Sequence, residues 1–305
     1  MYALKIHNLT KTYNNGIKAL KGIDLSIYAG DFFALLGANG AGKSTTIGLI
    51  TTLLNKTSGT IQIKGFDIDT HPEQAKAFLG VVPQEINLNI FETCEQILLN
   101  QAGFYGIPRN KAKQRLEVLL EQLGIADKKN QAARFLSGGM KRRLMIARAL
   151  MHEPAMLILD EPTAGVDIEI RRSVWEFLKE TNKQGTTIIL TTHYLEEAEQ
   201  LCKNVAIIHH GKIIEHTSIQ QLLATMNVQT FVFTTIKPIQ TFPIPDQFPA
   251  LLIDANNFEL QVDNTTTLNE VFAWLTANGL EIHSMRTKTN RLEALFMDRI
   301  QNEDE

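Results

Sequence analysis

The segment Gly37-Ala38-Asn39-Gly40-Ala41-Gly42-Lys43-Ser44-Thr45 matches the pattern G-x-x-x-x-G-K-[ST], which is typical of a phosphate-binding loop. The apolar residues 32–36 before it predict a strand, and residues 45–50 after it predict the start of a helix. Because glycines let the backbone approach a ligand closely, the loop N–H groups and the positive end of the helix dipole can surround an anion. Lys43 adds a positive charge for the β- and γ-phosphates, and the Ser44 hydroxyl can bind Mg²⁺.

The size and composition of the chain are those of an ordinary globular protein. Its 305 residues suffice for one large domain or two ordinary ones, and 44% of them are hydrophobic, which predicts a sizeable core. The net charge of −3 argues against a nucleic-acid-binding surface, which would be strongly basic. Cys94 and Cys202 lie far apart in the sequence, belong to no metal or redox motif and are expected to be unpaired thiols.

Nothing in the sequence predicts a membrane-spanning segment. Residues 1–7 lack the charged and then apolar layout of a signal peptide. No stretch approaches the ~18 uninterrupted apolar residues that a membrane-spanning helix needs. If the protein acts at a membrane, we therefore expect another subunit to supply the spanning segments.

Strand-like and helix-like segments alternate over residues 1–224, which predicts an α/β domain. Continuous apolar runs at 155–160 and 186–192 are typical of strands buried on both faces of a parallel sheet. Residues 93–123 have a helical pattern that is interrupted at 107–110, and four leucines near the end of this region recur at helical spacing.

The composition changes after about residue 224, where four prolines fall within a dozen residues. We therefore predict a second, small α+β domain over residues 225–305. Its expected strands and helices share the usual alternating or helical spacing of apolar residues. They are strands at 231–233 and 258–262 and helices at 268–277 and 291–300.

A second motif, Leu157-Ile158-Leu159-Asp160-Glu161-Pro162, closes one of the buried strands with two carboxylates. Asp160 stands at the carboxyl end of that strand, where open α/β sheets place their ligands, and can hold Mg²⁺. Because the chain bends at a strand end, Glu161 can face the γ-phosphate, and we predict that it polarises the attacking water as a general base. The alternative is a pair of acidic residues that only cap the strand.

A third motif, Leu136-Ser137-Gly138-Gly139-Met140, precedes a basic helical segment. A serine and two glycines at a helix N-terminus form another anion cradle. Alone, such a tripeptide is more often a flexible turn. Here it lies between the phosphate loop and the Asp160-Glu161 strand, in that order.

With these three motifs, residues 3–224 resemble the ATP-binding cassette (ABC) family of transport ATPases. In the terms of that family, the motifs are the Walker A loop, the signature and the Walker B strand. The resemblance implies a P-loop NTPase fold with a RecA-like core, an antiparallel β subdomain and a helical subdomain at about 88–150. The signature commonly ends in glutamine, whereas Met140 stands here; because it lies beyond Ser137 and the two glycines, we expect the ATP contacts to be kept.

The resemblance also assigns roles to residues that local patterns leave undecided. Tyr13 matches the aromatic residue that stacks on adenine, Gln84 the lid glutamine, Asp167 the D-loop aspartate and His193 the switch histidine. On their own, Tyr13, Gln84 and His193 are an ordinary strand-end tyrosine, a loop glutamine and a structural histidine. The implied catalytic residues are Glu161, His193 and Gln84, and the implied Mg²⁺ ligands are Ser44, Gln84 and Asp160. The implied nucleotide contacts are Tyr13, Gly37, Ala38, Asn39, Gly40, Ala41, Gly42, Lys43, Ser44, Thr45, Ser137, Gly138, Gly139 and Asp167.

The resemblance further implies the cofactors ATP and Mg²⁺ and a homodimer that closes head to tail around ATP. It implies a separately encoded permease, which we expect to contact residues 89–105, and a peripheral position on the cytoplasmic face of the inner or plasma membrane. The form Ser-Gly-Gly-Met-Lys-Arg-Arg at 137–143 is similar to that of drug-resistance and polyketide exporters. The C-terminal extension of about eighty residues resembles that of drug, lipid or polysaccharide exporters and also favours an exporter.

Two other classes of cassette protein are alternatives. A soluble ATPase that acts on ribosomes carries two cassettes with a charged linker, and one that acts on DNA has a long coiled coil within its cassette. This sequence has one cassette and too short an interval for that coiled coil. The motifs do not exclude a cytosolic, non-transport cassette that acts as a scaffold for cluster assembly, although the scarcity of cysteine argues mildly against it.

Overall fold

The computed structural model describes residues 1–192, 194–225, 228–245, 247–263 and 266–288, together with residues 292, 293, 295, 296 and 299. The chain divides into two compact units, Met1–Thr217 and Ser218–Glu305. Within the described ranges, no helix combines the length and hydrophobicity that crossing a membrane requires.

Strands and helices alternate along the first unit. Its strands are β1 (Tyr2–Thr12), β2 (Lys18–Tyr28), β3 (Phe32–Leu36), β4 (Ser58–Ile63), β5 (Phe66–Asp67), β6 (Leu79–Val82), β7 (Met156–Asp160), β8 (Thr187–Thr191), β9 (Asn204–His209) and β10 (Lys212–Ser218). Its helices are α1 (Lys43–Ile50), α2 (Pro72–Ala77), α3 (Cys94–Phe104), α4 (Arg109–Gln122), α5 (Gly138–Leu150), α6 (Ile168–Lys183) and α7 (Leu195–Leu201), with 3₁₀ turns at Ala126–Lys128 and Ala133–Phe135.

The central sheet of this unit has the strand order β10-β9-β3-β8-β7-β6, and β9, β3, β8, β7 and β6 run parallel. All residues of β3 and β8 are buried, as the continuous apolar runs predict for a parallel sheet covered on both faces. Leu35 of β3 and Asp160 of β7 both pair with Thr191 of β8. The phosphate loop, the two carboxylates and the segment after β8 therefore leave the sheet at the same edge.

A second, antiparallel sheet in the order β2-β1-β4-β5 packs on the central one through a common hydrophobic core. Leu4 and Ile63 of this sheet, Phe33 and Ile158 of the central sheet, and Ile47 of α1 belong to one buried cluster. Each such side chain contributes about 1.5–3 kcal/mol by leaving water. The core thus fixes α1, and with it the phosphate loop, against both sheets.

The predicted helical region is two helices, α3 and α4, which contact each other and α5. Thr93 caps α3 in a reciprocal capping box with Gln96, and Pro108 precedes the first residue of α4. The interruption between the helices covers residues 105–108, two residues earlier than the predicted 107–110, because residues 109 and 110 are already helical.

The second unit contains α8 (Ile219–Ala224), β11 (Val228–Thr235), β12 (Ala250–Leu252), β13 (Asn257–Asp263), α9 (Leu268–Ala277) and β14 (Ile282–Thr287). Its antiparallel sheet has the order β12-β13-β11-β14, and the stacked rings of Phe233 and Phe258, with centroids 5.3 Å apart, lie in its core. The predicted strands 231–233 and 258–262 lie inside β11 and β13, and α9 has the predicted bounds. Half of the residues of the helix expected at 291–300 lie outside the described residues.

Candidate active site

The phosphate loop joins the end of β3 to the start of α1, and its first and last glycines leave no room for a side chain. A Cβ atom on Gly37 would lie 2.5 Å from the backbone oxygen of Ile208, and one on Gly42 would lie 2.9 Å from Leu20 Cδ2. Gly42 also has a φ of +119°, a backbone conformation that side chains disfavour. The glycines of the motif are thus required by contacts of the loop with β9 and β2.

We expect Gly37→Ala to lower the free energy of unfolding by about 1–3 kcal/mol, since the new methyl group overpacks a backbone contact. The loop must shift to relieve this contact, so ATP affinity should fall by about tenfold or more. Urea unfolding and a fluorescent-nucleotide titration measure both effects. Gly103→Ala is the matched control, because a Cβ there meets nothing within 4 Å; equal effects of the two substitutions would contradict this account of the loop.

Lys43 is held above the loop by two hydrogen bonds. Its Nζ donates to the backbone oxygens of Gly37 at 2.6 Å and Ala38 at 3.1 Å, and the residue is 7% exposed. Burial lowers the pKa of Lys43, and the negative charges of Glu161 and Asp160 oppose this effect. The ammonium group therefore lies in a poorly hydrated place, where its attraction to phosphate is stronger than in open water.

Asp160 and Glu161 are both anchored to Thr191 on the neighbouring strand. The Thr191 hydroxyl donates to Asp160 Oδ1, and the Glu161 N–H donates to the Thr191 carbonyl oxygen at 3.0 Å. Glu161 has a φ of +48°, a left-handed conformation that costs a residue with a side chain about 1–3 kcal/mol. The chain therefore does bend sharply directly after β7.

Gln84 lies against this bend. Its Nε2 donates to Glu161 Oε2 at 3.1 Å, so the structure brings together two residues that are distant in the sequence. Gln84 Oε1 is then the atom of this amide able to bind a cation. The Ser44 hydroxyl and the Asp160 carboxylate, the other two predicted ligands, also offer hard oxygen atoms, the donor chemistry that fits Mg²⁺.

Arg142 of α5 positions the backbone around Gln84, a contact that the sequence analysis did not predict. Its guanidinium donates to the carbonyl oxygens of Pro83 at 2.7 Å and Gln84 at 2.6 Å, and the residue is 5% exposed. Burial lowers the pKa of Arg142, while Asp160 and Glu161 raise it. The spacing of residues in the helix could have indicated this contact. Arg142 follows Gly139 by three residues, so the two lie on the same, buried face of α5, where a charged side chain needs a polar partner.

The signature residues form the start of α5. Ser137 is the N-cap, and its hydroxyl accepts a hydrogen bond from the Met140 N–H at 3.3 Å. Ser137 and Gly138 are exposed, whereas Gly139 is buried against Ile170, whose Cδ1 would lie 2.6 Å from an added Cβ. Among the described residues, Ser137 makes no hydrogen bond to the cluster around Glu161.

The remaining predicted site residues have separate surroundings. The hydroxyl groups of Tyr13 and Thr45 are 3.2 Å apart, which places the tyrosine beside the first turn of α1. Asp167 caps α6 by accepting a hydrogen bond from the Ile170 N–H at 2.9 Å. His193 lies outside the described residues.

The family described as ABC transporter matches residues 20–164, which include the phosphate loop, the signature and both carboxylates. Over 304 residues the chain is 36% identical to the linearmycin resistance ATP-binding protein LnrL of Bacillus subtilis, with 97% of each chain covered. The chain belongs to the ATP-binding cassette family. This cassette is an ATP-hydrolysing subunit of a transporter, and ATP and ADP are its nucleotides.

Two further comparisons extend this result. The cassette is 37% identical over 220 residues to the Nod factor export ATP-binding protein I of Ralstonia nicotianae, with 72% of this chain and 68% of the relative covered. It also resembles a solved dimeric ATP-binding cassette in a post-hydrolysis state with ADP and phosphate bound. That likeness has a TM-score of 0.63 at 27% identity and covers 71% of this chain and 98% of the other. The predicted family, fold class and ATPase activity are confirmed, and the ribosomal and DNA alternatives are not favoured.

Proposed function

We propose that this cassette is the ATPase of an exporter, that two copies close head to tail around ATP, and that closure moves a separately encoded membrane permease. The proposal rests on the observation that the predicted nucleotide contacts lie in two separate regions of one subunit. The phosphate loop, Gln84, Asp160 and Glu161 converge on one edge of the sheet, whereas the exposed Ser137 cradle is bonded to none of them. A second copy can complete each site by bringing its cradle to the γ-phosphate.

The proposed hydrolysis divides the work among residues on that edge. The loop N–H groups and Lys43 bind the phosphates, and Tyr13 stacks on adenine. Glu161 accepts a hydrogen bond from the attacking water and polarises it, while Gln84 and the strained turn hold the Glu161 carboxylate in place. Mg²⁺, held by Ser44, Asp160 and Gln84, would neutralise charge on the phosphates.

ATP in this arrangement joins the two subunits. Its γ-phosphate contacts Lys43 of one copy and the Ser137 cradle of the other, so cleavage removes the group that both copies share. The closed dimer then loses its preferential stabilisation and opens. The available work is limited by the difference in ATP affinity between the closed and open states.

The proposed contact with the permease is the surface of α3 and the segment before it. A groove of 590 Å³ there is lined by residues that include Asn89, Glu92, Phe104 and Arg148. Phe104 is 86% exposed and Phe91 is 72% exposed. Exposed aromatic side chains at the rim of a groove are typical anchors for a partner. We place the cassette at the cytoplasmic face of the membrane through this contact.

A photoreactive phenylalanine analogue at position 104 tests this surface in cells. We expect it to form a cross-link to an integral membrane protein. The same analogue at Leu53, which is 79% exposed and outside the groove, should form none. Absence of a membrane partner from position 104, or equal cross-linking from both positions, would refute the proposed surface.

The direction of transport is supported by the relatives. The names of the two related proteins are those of a resistance protein and an export protein. The first of them matches 97% of this chain, so the match extends into the C-terminal unit. Both facts favour an exporter over an importer.

A further inference from the structure

Glu197 of α7 is a fully buried acid outside the set of residues assigned above. It is 0% exposed, and its Oε1 accepts hydrogen bonds from the Thr163 hydroxyl and the Trp175 indole N–H, each at 2.9 Å. Its Oε2 is buried and has no hydrogen-bond partner among the described residues. One side chain on α7 thus joins the segment that follows β8 to the turn after β7 and to helix α6.

The surroundings of Glu197 supply hydrogen-bond donors to one of its two carboxyl oxygens, Oε1. Burial raises the pKa of Glu197, and the hydrogen bonds from Trp175 and Thr163 and the charge of Arg171 only partly oppose this rise. A buried carboxyl without such partners would be strongly disfavoured. Removing the group leaves two donors in the interior without their acceptor, so the local geometry depends on it.

The three connected segments carry the residues of the proposed reaction. Thr163 stands two residues after Glu161, and Glu161 lies in the strained turn with a φ of +48°. Thr192 follows Thr191, which binds both Asp160 and Glu161. Helix α6 begins directly after Asp167.

A second contact ties α6 to the same segment. The Arg171 guanidinium lies over the Tyr194 ring at 4.7 Å from the centroid. Tyr194 stands three residues before Glu197, so α6 is joined to the start of α7 by an aromatic contact as well as by a hydrogen bond. The junction around Glu197 is therefore held from two sides.

We propose that Glu197 is a positioning residue for ATP hydrolysis. By accepting the Thr163 hydroxyl, it holds the turn after β7 against α6 and α7, and so keeps the Glu161 carboxylate directed at the attacking water. This inference rests on the proposed role of Glu161. Glu197 itself touches neither the nucleotide nor the water.

The test compares Glu197→Ala and Glu197→Gln in steady-state ATP hydrolysis. We expect Glu197→Ala to lower kcat by about 10- to 100-fold, since a small displacement of a catalytic group has effects of this size. The KM for ATP should stay within about twofold, because the phosphate loop is untouched. Glu197→Gln should restore most of kcat, since a single amide oxygen can accept both bonds that now go to Oε1. Glu196→Gln is the control, because it removes an exposed carboxylate from the same helix.

Thr163→Val keeps the test decisive if Glu197→Ala does not fold. It removes only the donating hydroxyl at nearly constant volume, and we expect it to lower kcat by about tenfold without a change in KM. In the double variant Thr163→Val/Glu197→Gln, the loss should not exceed that of Thr163→Val alone, since both act through one bond.

Several outcomes would overturn the proposal. These are a normal kcat in Thr163→Val, a KM that rises in step with the loss of kcat, or a Glu197→Gln variant as impaired as Glu197→Ala. Glu161→Gln, measured in parallel, distinguishes a failure of the proposed function from a failure of the positioning role of Glu197. If it keeps its turnover, the proposed function fails; if it loses turnover while Thr163→Val and Glu197→Ala keep theirs, only the positioning role fails.

Discussion

Glu161→Gln is expected to lower the rate of ATP hydrolysis by about 10²- to 10⁴-fold, the usual contribution of a general base. The amide keeps the shape of the side chain but cannot accept a proton from water. ATP affinity should stay within about threefold, because the loop and Lys43 that bind the phosphates are unchanged. Phosphate release under saturating ATP and a nucleotide titration measure the two quantities.

Glu153→Gln is the control for this substitution. Glu153 is another glutamate with a left-handed backbone, at a φ of +51°, but its carboxylate pairs with Arg115 and belongs to none of the proposed contacts of the site. Its hydrolysis rate should be that of the unmodified cassette. A Glu161→Gln variant that also turns over at a near-normal rate would remove Glu161 from the role of general base.

Ser137→Arg is expected to lower hydrolysis by about 100-fold or more while a single subunit still binds ATP. The exposed cradle at the start of α5 would receive a bulky cation, which blocks the approach of a second subunit and opposes the positive end of the helix dipole. The titration of a dilute, monomeric sample with fluorescent nucleotide should be unchanged. Hydrolysis should lose its dependence on subunit concentration.

Ser137→Ala separates this effect from the loss of the helix cap. It removes the hydrogen bond to the Met140 N–H, which costs about 1 kcal/mol of stability, but adds no bulk. We expect Ser137→Ala to keep far more activity than Ser137→Arg. Continued cooperative hydrolysis by Ser137→Arg would contradict a site shared between two subunits.

The sequence predicted the parts of the site whose chemistry lies within one short segment. The phosphate loop and the Asp160-Glu161 pair each consist of adjacent residues at the end of an apolar strand, so composition and spacing were sufficient. The parallel order of β3, β8 and β7 then brings these ends together without further information. The same reasoning placed α9 and the interior strands of the second unit.

Contacts between distant segments were beyond the reach of the sequence. The sequence analysis assigned no helix to residues 168–183, although α6 supplies Trp175 to the Glu197 junction. Arg142 is predicted only as part of a basic helix, because its spacing from Gly139 indicates the face of the helix on which it lies but not the carbonyl groups that this face meets. The edge strand β14 is mostly exposed and polar, so it has no apolar alternation by which to recognise it.

The mass of Glu161→Gln in solution, measured by light scattering with and without excess ATP and Mg²⁺, tests the central claim most directly. The account predicts a monomer of 34.2 kDa without nucleotide and a stable particle of twice that mass with ATP. Adding Ser137→Arg to the same variant should return it to the monomer. A Glu161→Gln cassette that stays monomeric at saturating ATP would contradict the claim that two copies close around the nucleotide.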